Sequence, residues 1–263
     1  MNKVTSKDGT VIAFDTQGTG PALILVDGAL GYRALGFSSG LVKLLAPHFK
    51  VYAYDRRGRG DSGNTLPYAV DREVEDIAAL IQDAGGSAYL YGISSGACLA
   101  LEAASRLGGW VKKLALYEAP YRFDEGARAD WLKYREDLSK LLAAGQRGDA
   151  VVLFMKFVGT PAEMIGGMRQ SPMFPMFEAA APTLAYDAAC IGKDRTVPAR
   201  RAAGVTARTL VMNGDASFPF MHDAAAAIAK AIPHAEHLVL KGQRHDVSAE
   251  ALAPVLVEFF AKP

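Results

Sequence analysis

The stretch Tyr89-Leu90-Tyr91-Gly92-Ile93-Ser94-Ser95-Gly96-Ala97-Cys98-Leu99-Ala100-Leu101 decides how the chain can fold. Residues 88–91 form a short apolar and aromatic run, typical of a buried strand, and residues 97–107 have the Ala and Leu content of a helix. Between them Ser94 is the centre of a Gly-x-Ser-x-Gly pattern. A strand that turns into a helix within two residues strains the middle residue, and the flanking glycines keep the two elements from colliding. The stretch therefore predicts a strand, a sharp turn at Ser94 and a helix.

Such a turn has chemical consequences. It lifts the Ser94 hydroxyl off the sheet and points the free N–H of Ser95, at the helix N-terminus, toward whatever Ser94 attacks. A serine hydroxyl is a poor nucleophile at neutral pH unless a base accepts its proton, and that base is normally a histidine oriented by a carboxylate. We therefore predict that Ser94 is a nucleophile and that a histidine elsewhere in the chain is its base.

One of the five histidines has a suitable position. His245 follows the last predicted strand and precedes the last predicted helix, so it should lie at the same edge of the sheet as Ser94, where catalytic groups of open α/β sheets collect. The other four lie in a helix-to-strand loop, at a helix start and around the last strand: His48, His222, His234 and His237. His245 is the predicted base.

Strand and helix patterns alternate along the chain. Asp8-Gly9 predicts a tight hairpin. Short apolar strands are predicted at 22–26, 51–54, 88–91, 114–117, 210–212 and 238–240, and helices at 40–46, 70–81, 97–107, 224–231 and 251–260. Right-handed crossovers between such strands give an α/β fold whose mostly parallel sheet has helices on both faces.

The alternation breaks once. Residues 120–204 contain helical patterns and no predicted strand, so we predict a helical cap there, inserted into a core of residues 1–119 and 205–263. Within the cap, the stretch 164–177 is rich in Met and Phe and has few charged residues that could pair an anion. We expect a substrate pocket for an apolar acyl or aromatic group, lined by Met164, Met168, Phe174, Phe177 and the core residue Phe218.

Composition limits the classes of partner that the chain is expected to bind. The chain has 263 residues, half of them hydrophobic, with a formal net charge of +1, so no global field attracts nucleic acid or an anionic membrane. The basic cluster Asp55–Arg59 is short, and we interpret it as a solvated loop. Two cysteines fit neither a disulfide scaffold nor a metal site. Residues 1–8 lack a signal-peptide pattern and no run reaches membrane-spanning length, so we expect a cytoplasmic protein. We expect a small-molecule substrate and no cofactor, metal, nucleic-acid or membrane partner. A homodimer is left open.

Three motifs together resemble the α/β-hydrolase family across nearly the full chain. They are Gly92–Gly96, the stretch Asp55–Ser62, which looks like the family's Asp-x-Arg-Gly-x-Gly-x-Ser loop, and Gly242–Asp246, which contains the histidine. The resemblance implies an eight-stranded core, a cap after the sixth strand, and Ser94 and His245 as nucleophile and base.

The chain departs from the family at two places. Where members usually have His-Gly after the third strand, this chain has Asp27-Gly28; the N–H of Ala29 would join that of Ser95 in the oxyanion hole, and we expect Asp27 to point away into backbone hydrogen bonds. The usual slot of the triad acid, after the seventh strand, holds Ser217. Two carboxylates could replace it: Glu118, at the end of the sixth strand as in certain haloalkane dehalogenases, and Asp215. We favour Glu118 over Asp215, which would need a shifted loop.

The sequence thus favours a serine hydrolase that cleaves a small to medium, largely apolar carboxylic ester, lactone or thioester through an acyl-Ser94 intermediate. Two alternatives remain. The same triad could serve a C–C bond hydrolase, a lyase or a perhydrolase, and Asp27 with the displaced acid keeps open a non-catalytic receptor for a small molecule.

Overall fold

The computed structural model describes residues 1–262. One eight-stranded sheet organises the molecule, in the order β1-β2-β4-β3-β5-β6-β7-β8. The strands are β1 Asn2–Thr5, β2 Val11–Gln17, β3 Ala22–Val26, β4 Lys50–Tyr54, β5 Ala88–Ile93, β6 Val111–Tyr117, β7 Arg208–Gly214 and β8 Glu236–Leu240. The first two pair antiparallel, β2 pairs antiparallel with β4, and the remaining six are parallel. The predicted mostly parallel α/β sheet is confirmed.

Helices cover both faces of this sheet. Those of the core are α1 Ser39–Leu45, α2 Val70–Asp83, α3 Ser95–Leu107, α10 Pro219–Ala231 and α11 Ala249–Ala261. The strand β3 is apolar at every position because alternate side chains enter different cores: Ile24 and Val26 pack on one face with α2 and α3, whereas Leu23 and Leu25 pack on the other with α1 and α11.

Between β6 and β7 the described chain forms six α-helices and no strand: α4 Glu125–Ala143, α5 Arg147–Phe157, α6 Ala162–Arg169, α7 Phe174–Ala180, α8 Leu184–Ile191 and α9 Ala199–Ala202. This is the segment predicted to be the cap. Its apolar side chains pack with Leu30, Tyr32 and Leu35, which follow β3. The domain boundaries at 120 and 204 stay a prediction.

The interpretation of the basic cluster as a solvated loop is wrong. Arg56, Arg57 and Arg59 are all buried. Arg57 is held by Asp76 and Asp8 near α2, and Arg56 binds Glu73 with two hydrogen bonds of 2.8 and 2.7 Å. Charges are buried at this density only when each is paired. The structural reason for the error is that the partners lie on other elements, so the pairing is not visible within the cluster itself.

Candidate active site

The strand β5 and the helix α3 meet in a strained turn at Ser94. Its φ is +57° and its ψ −129°, a conformation that costs a non-glycine residue roughly 1–3 kcal/mol. A Cβ on Gly92 would lie 2.5 Å from the carbonyl oxygen of Gly96, and one on Gly96 would collide with the carbonyl oxygen of Val26. Glycine is therefore required on both sides of Ser94, as the sequence pattern indicated.

Sheet register places Glu118 beside this turn. Ile93 pairs with Tyr117, and the Ser94 N–H donates to the Tyr117 carbonyl at 2.9 Å, so the residues that follow β5 and β6 are neighbours. Glu118 also has a positive φ, +47°. Of the five non-glycine residues with positive φ in the described chain, Ser94 and Glu118 lie at this edge and Leu30 follows the loop residue Ala29. Backbone strain is concentrated where catalytic groups were predicted.

The Glu118 carboxylate is a buried hub that reaches His245. Its Oε2 lies 2.7 Å from His245 Nδ1 and accepts a hydrogen bond of 2.8 Å from the Ser217 hydroxyl, while its Oε1 accepts one of 2.9 Å from the Gly214 N–H. Glu118 is only 1% exposed. A carboxylate held by three donors has one orientation, and it fixes which nitrogen of His245 carries a proton.

Asp215, the alternative acid, is directed elsewhere. It is exposed, and its carboxylate accepts a hydrogen bond of 2.6 Å from the Gly242 N–H, within the turn after β8. Ser217, which occupies the slot where the resemblance places an acid, instead donates to Glu118. Ser217 and His245 therefore both contact the carboxylate of Glu118, which enters the site from the end of β6.

The loop that carries His245 is anchored to β6 and β7. The Tyr117 hydroxyl donates to the Arg244 carbonyl at 2.5 Å, and the Ala216 N–H to that of Gln243 at 3.0 Å. His245 and Ser94 line one cavity. The hydrogen bonds of residues 1–262 include none between the Ser94 hydroxyl and the His245 ring, a contact that in hydrolases commonly tightens only when substrate binds.

Two backbone N–H groups beside Ser94 are free to bind an anion. Within residues 1–262, neither the Ala29 N–H nor the Ser95 N–H has a hydrogen-bond acceptor. A Cβ on Gly28 would lie 3.0 Å from Ser94 Cβ, so the loop after β3 passes directly beside Ser94. Two free donors at such a position could stabilise an oxyanion.

The expectation that Asp27 forms hydrogen bonds with the backbone is wrong. Among residues 1–262 its side chain accepts no backbone hydrogen bond; the Ser38 hydroxyl approaches Oδ2 at 3.4 Å, and Asp27 lines the same cavity as Ser94. Burial raises the pKa of Asp27 to about 6, against a smaller opposing effect of Arg59. The backbone carbonyls of Asp27 and Gly28 accept hydrogen bonds from Arg56 and Arg59, respectively.

A buried ion network holds the residues beside these two N–H groups in place. Asp187, on the cap helix α8, accepts one hydrogen bond of 2.6 Å from Arg56, two of 2.8 Å from Arg59 and one of 2.8 Å from the Ser95 hydroxyl. Arg59 also donates to the Gly28 carbonyl at 2.6 Å. Although burial raises it, the arginines bring the pKa of Asp187 below its ordinary value. Sequence reasoning missed these residues; the glycine-rich Asp55–Ser62 loop signalled the arginines, but nothing signalled Asp187.

The cavity in front of Ser94 has a volume of about 1250 Å³ and lies between the sheet edge and the cap. Of the five predicted pocket residues only Phe218 lines it. Phe174 and Phe177 are buried in the core of the cap, Met168 packs against that core, and Met164 is 63% exposed. The prediction is wrong for these four because apolar spacing cannot tell which face of a short helix meets the cavity. The walls come instead from α4, α5 and α8, through residues such as Trp131, Phe154, Phe157 and Leu184.

No group of three or more His, Cys, Asp or Glu residues in the described part of the chain is arranged to hold a metal ion. Within residues 1–262, none of the helices is both long and apolar enough to cross a membrane.

Comparisons with known proteins agree with this architecture. The model of a family described as the alpha/beta hydrolase family matches residues 10–255. An alpha/beta hydrolase of Sphaerobacter thermophilus DSM 20745 is 48% identical, with a TM-score of 0.88 over 98% of this chain and 100% of that one. An enol-lactonase of Burkholderia xenovorans LB400 has a TM-score of 0.70 at 20% identity, over 99% of this chain and 100% of that one, which shows a common fold alone.

A curated relative matches a shorter stretch. The pimeloyl-[acyl-carrier protein] methyl ester esterase of Xanthomonas oryzae pv. oryzae (strain MAFF 311018) is 37% identical over 118 residues, which is 44% of this chain and 43% of that protein. The chain therefore spans less than half the length of this relative. The family model, by contrast, covers nearly all of this chain. Together with the strained serine turn and the sheet topology, this match shows that the chain belongs to the alpha/beta hydrolase family.

Proposed function

We propose that this protein is a serine hydrolase that cleaves a small to medium, largely apolar carboxylic ester, lactone or thioester through an acyl-Ser94 intermediate. One observation carries the proposal: the strained Ser94, the Glu118–His245 pair and two free backbone N–H groups meet at one cavity. A nucleophile, an oriented base and two donors for a developing oxyanion are the groups that acyl transfer requires, which supports the proposal.

The reaction proceeds in two steps. The Ser94 hydroxyl attacks the acyl carbon while His245 Nε2 accepts its proton, and the proton then passes to the leaving alcohol. Glu118 accepts the Nδ1–H of His245, which leaves Nε2 free to act as the base and stabilises the imidazolium that forms. Water repeats the sequence to release the acid from Ser94.

Negative charge on the acyl oxygen is stabilised by the N–H groups of Ala29 and Ser95. Each such donor lowers the barrier by roughly 3 to 4 kcal/mol when it is fixed before the reaction begins. The Asp187 network supplies that rigidity, because it holds the Ser95 hydroxyl directly and the Gly28 carbonyl through Arg59.

Ester cleavage is favoured over the other reactions of such a triad by the cavity and by one relative. The walls are largely aromatic and aliphatic, which suits an acyl chain or ring. The curated relative that matches part of the chain is a methyl ester esterase, and its matching 118 residues span less than half of each protein. We further propose the cytoplasmic location that the sequence predicts.

Hydrolysis of p-nitrophenyl esters of increasing chain length tests the proposal. The absorbance of the released p-nitrophenolate measures the rate. We expect turnover by the unaltered protein and a loss on the order of 10⁶-fold in kcat for Ser94→Ala. Ser105→Ala, which changes a serine of the same helix about three turns further on, is the matched control and should retain full activity.

Two outcomes would contradict the proposal. If Ser94→Ala retained the activity of the unaltered protein, another residue would be the nucleophile. If no ester, lactone or thioester were cleaved while a small molecule bound tightly and saturably, the fold would serve as a receptor instead.

A further inference from the structure

The wall of the cavity contains one deeply buried cation that has no acidic partner. Arg195 follows the cap helix α8 and is 8% exposed. Its Nε–H donates to the Pro120 carbonyl at 2.7 Å, but its two terminal nitrogens have no hydrogen-bond acceptor among residues 1–262. These nitrogens are not sealed off, and the side chain lines the cavity that contains Ser94 and His245. The free end of the guanidinium therefore meets the space where substrate would lie.

Aromatic rings hold this guanidinium in place. Its central carbon lies 5.4 Å from the ring centre of Trp131, 5.1 Å from that of Phe157 and 5.5 Å from that of Phe220. Trp131 is itself fixed, since its indole N–H donates to the Gly192 carbonyl at 2.9 Å. Arg195 also has a left-handed backbone, with φ +55°, a strain that persists only when surrounding contacts require it. The side chain is thus pre-oriented and not a mobile surface group.

The charge on Arg195 is retained, and among residues 1–262 no carboxylate is in contact with it. Burial, with a contribution from the nearby Arg122, lowers its pKa to about 10, so the group stays protonated at neutral pH. Aromatic faces attract a cation but do not neutralise it, and a buried charge without an opposite charge is unfavourable. An anion that entered the cavity would remove this penalty.

The other charged groups along the cavity already have partners or face solvent. They are Asp187, bound by Arg56 and Arg59; Arg122, paired with Asp124 at 3.0 Å; Lys133, paired with Asp137 at 2.8 Å; and the exposed Asp130, Lys156 and Asp246. Asp27 lies beside the oxyanion loop, and the charges that act on its pKa are those of Arg59, Arg56 and Asp55. Among the described residues that line this cavity, Arg195 is the buried cation whose terminal nitrogens are available to bind a ligand.

We propose that Arg195 binds a carboxylate of the substrate, so that the ester cleaved at Ser94 is acidic, with an apolar acyl body between the ester and a free carboxylate. The two terminal nitrogens of a guanidinium match the two oxygens of a carboxylate, which makes the contact directional as well as attractive. The proposal deepens the ester hydrolysis proposed above and rests on it. It also replaces the expectation of a pocket without an anion site, because Arg195 lies outside the Met- and Phe-rich stretch on which that expectation depended.

Binding without turnover tests the proposal separately from catalysis. In a Ser94→Ala background, calorimetry measures the Kd of monoethyl adipate and of its neutral match, diethyl adipate, with the corresponding succinate and suberate esters to vary the distance between the two groups. We expect the best acidic ester to bind about 10- to 100-fold more tightly than its neutral match, the factor for a hydrogen-bonded charge pair. Adding Arg195→Met should abolish most of this preference.

Two further variants separate charge from folding. Arg195→Lys retains a cation but loses the planar pair of donors, so a smaller preference for the acidic ester should remain. Arg169→Met removes an exposed cap arginine that pairs with Asp149 outside the cavity, and it should leave the preference unchanged. Equal binding of acidic and neutral esters by Ser94→Ala, or a preference that survives in Arg195→Met, would overturn the assignment.

Turnover by the unaltered protein completes the test. A ratio of kcat/KM for acidic over neutral ester of about 10 or more, lost in Arg195→Met, supports both proposals. Equal rates on the two esters would leave the hydrolase intact and remove the carboxylate site. Absence of any turnover would refute the hydrolase, whereas the Arg195-dependent preference in binding would still stand on its own measurement.

Discussion

Glu118→Gln should inactivate the protein with little change in its shape. The Oε2 position faces His245 Nδ1 and Ser217, and Oε1 accepts from the Gly214 N–H. If glutamine keeps its oxygen toward Gly214, its NH₂ donates to His245 Nδ1 and forces the ring proton onto Nε2. His245 would then offer Ser94 a donor where the reaction needs an acceptor. If the amide turns over instead, its NH₂ meets the Gly214 N–H and a buried donor is left without an acceptor.

The loss can be estimated from this geometry. A serine protease whose orienting acid is replaced by its amide keeps its structure but loses about 10⁴ in kcat, because the tautomer is wrong. A loss of about 10³- to 10⁴-fold corresponds to roughly 4 to 5.5 kcal/mol of transition-state stabilisation. The free energy of unfolding should fall much less, by about 1 to 3 kcal/mol for one weakened buried hydrogen bond.

Steady-state kinetics on the best ester substrate, with urea unfolding of the same samples, measures both quantities. Asp215→Asn is the matched control: the residue is exposed, and an asparagine oxygen can still accept from the Gly242 N–H, so kcat should change less than about 2-fold. The reasoning is refuted if Asp215→Asn loses as much activity as we expect of Glu118→Gln, or if Glu118→Gln stays within ten-fold of the unaltered protein.

Three other substitutions test the surroundings of Ser94. Asp27→Asn should stabilise the fold by up to about 3 kcal/mol at pH 8, because burial raises the pKa of Asp27 from 3.8 to about 6. The folded state is disfavoured only where this carboxyl must ionise, so the gain should shrink as the pH falls through 6 and vanish near pH 4; urea unfolding at several pH values would expose a constant gain, which contradicts the prediction. Gly28→Ala should reduce kcat/KM by about 10²-fold, since the new methyl lies 3.0 Å from Ser94 Cβ and displaces the attacking group; unchanged kinetics would show that the loop can yield. Asp187→Asn leaves buried arginines undercompensated and should destabilise the protein by about 3 kcal/mol, or about 6 to 12 °C in Tm, and a melting curve within 2 °C or so of the unaltered protein would count against the network.

The sheet could be predicted from the sequence because its determinants are local. Buried strands such as β3 and β5 are short apolar runs, and a strand that ends in Gly-x-Ser-x-Gly has few ways to continue. Parallel order then places the residues that follow several strands at one edge. The proximity of Glu118 and His245, 127 positions apart, follows from topology once the strands are assigned.

What could not be predicted depends on contacts between distant segments. Arg56 and Arg59 were interpreted as solvated because their partner Asp187 lies more than 120 residues away, in a helix whose own pattern looks ordinary. Arg195 likewise gives no signal in the sequence, since burial and the lack of an acid are properties of the folded cavity.

The cap shows the same limit in a different way. Its helices are short, and a helix such as α7, Phe174–Ala180, has too few turns for spacing alone to tell a core face from a cavity face. Phe174 and Phe177 pack in the core of the cap, whereas Phe218, from the loop before α10, lines the cavity. Loop residues were therefore better guides to the site than the Met- and Phe-rich helices.

Peptide mass mapping after reaction with a fluorophosphonate tests the central claim most directly, because the probe becomes bonded to an activated serine. We predict one adduct, on the peptide that contains Ser94, with none in Ser94→Ala and much slower labelling in Glu118→Gln. An adduct on another serine, or persistent ester hydrolysis with Ser94 unlabelled, would contradict the account.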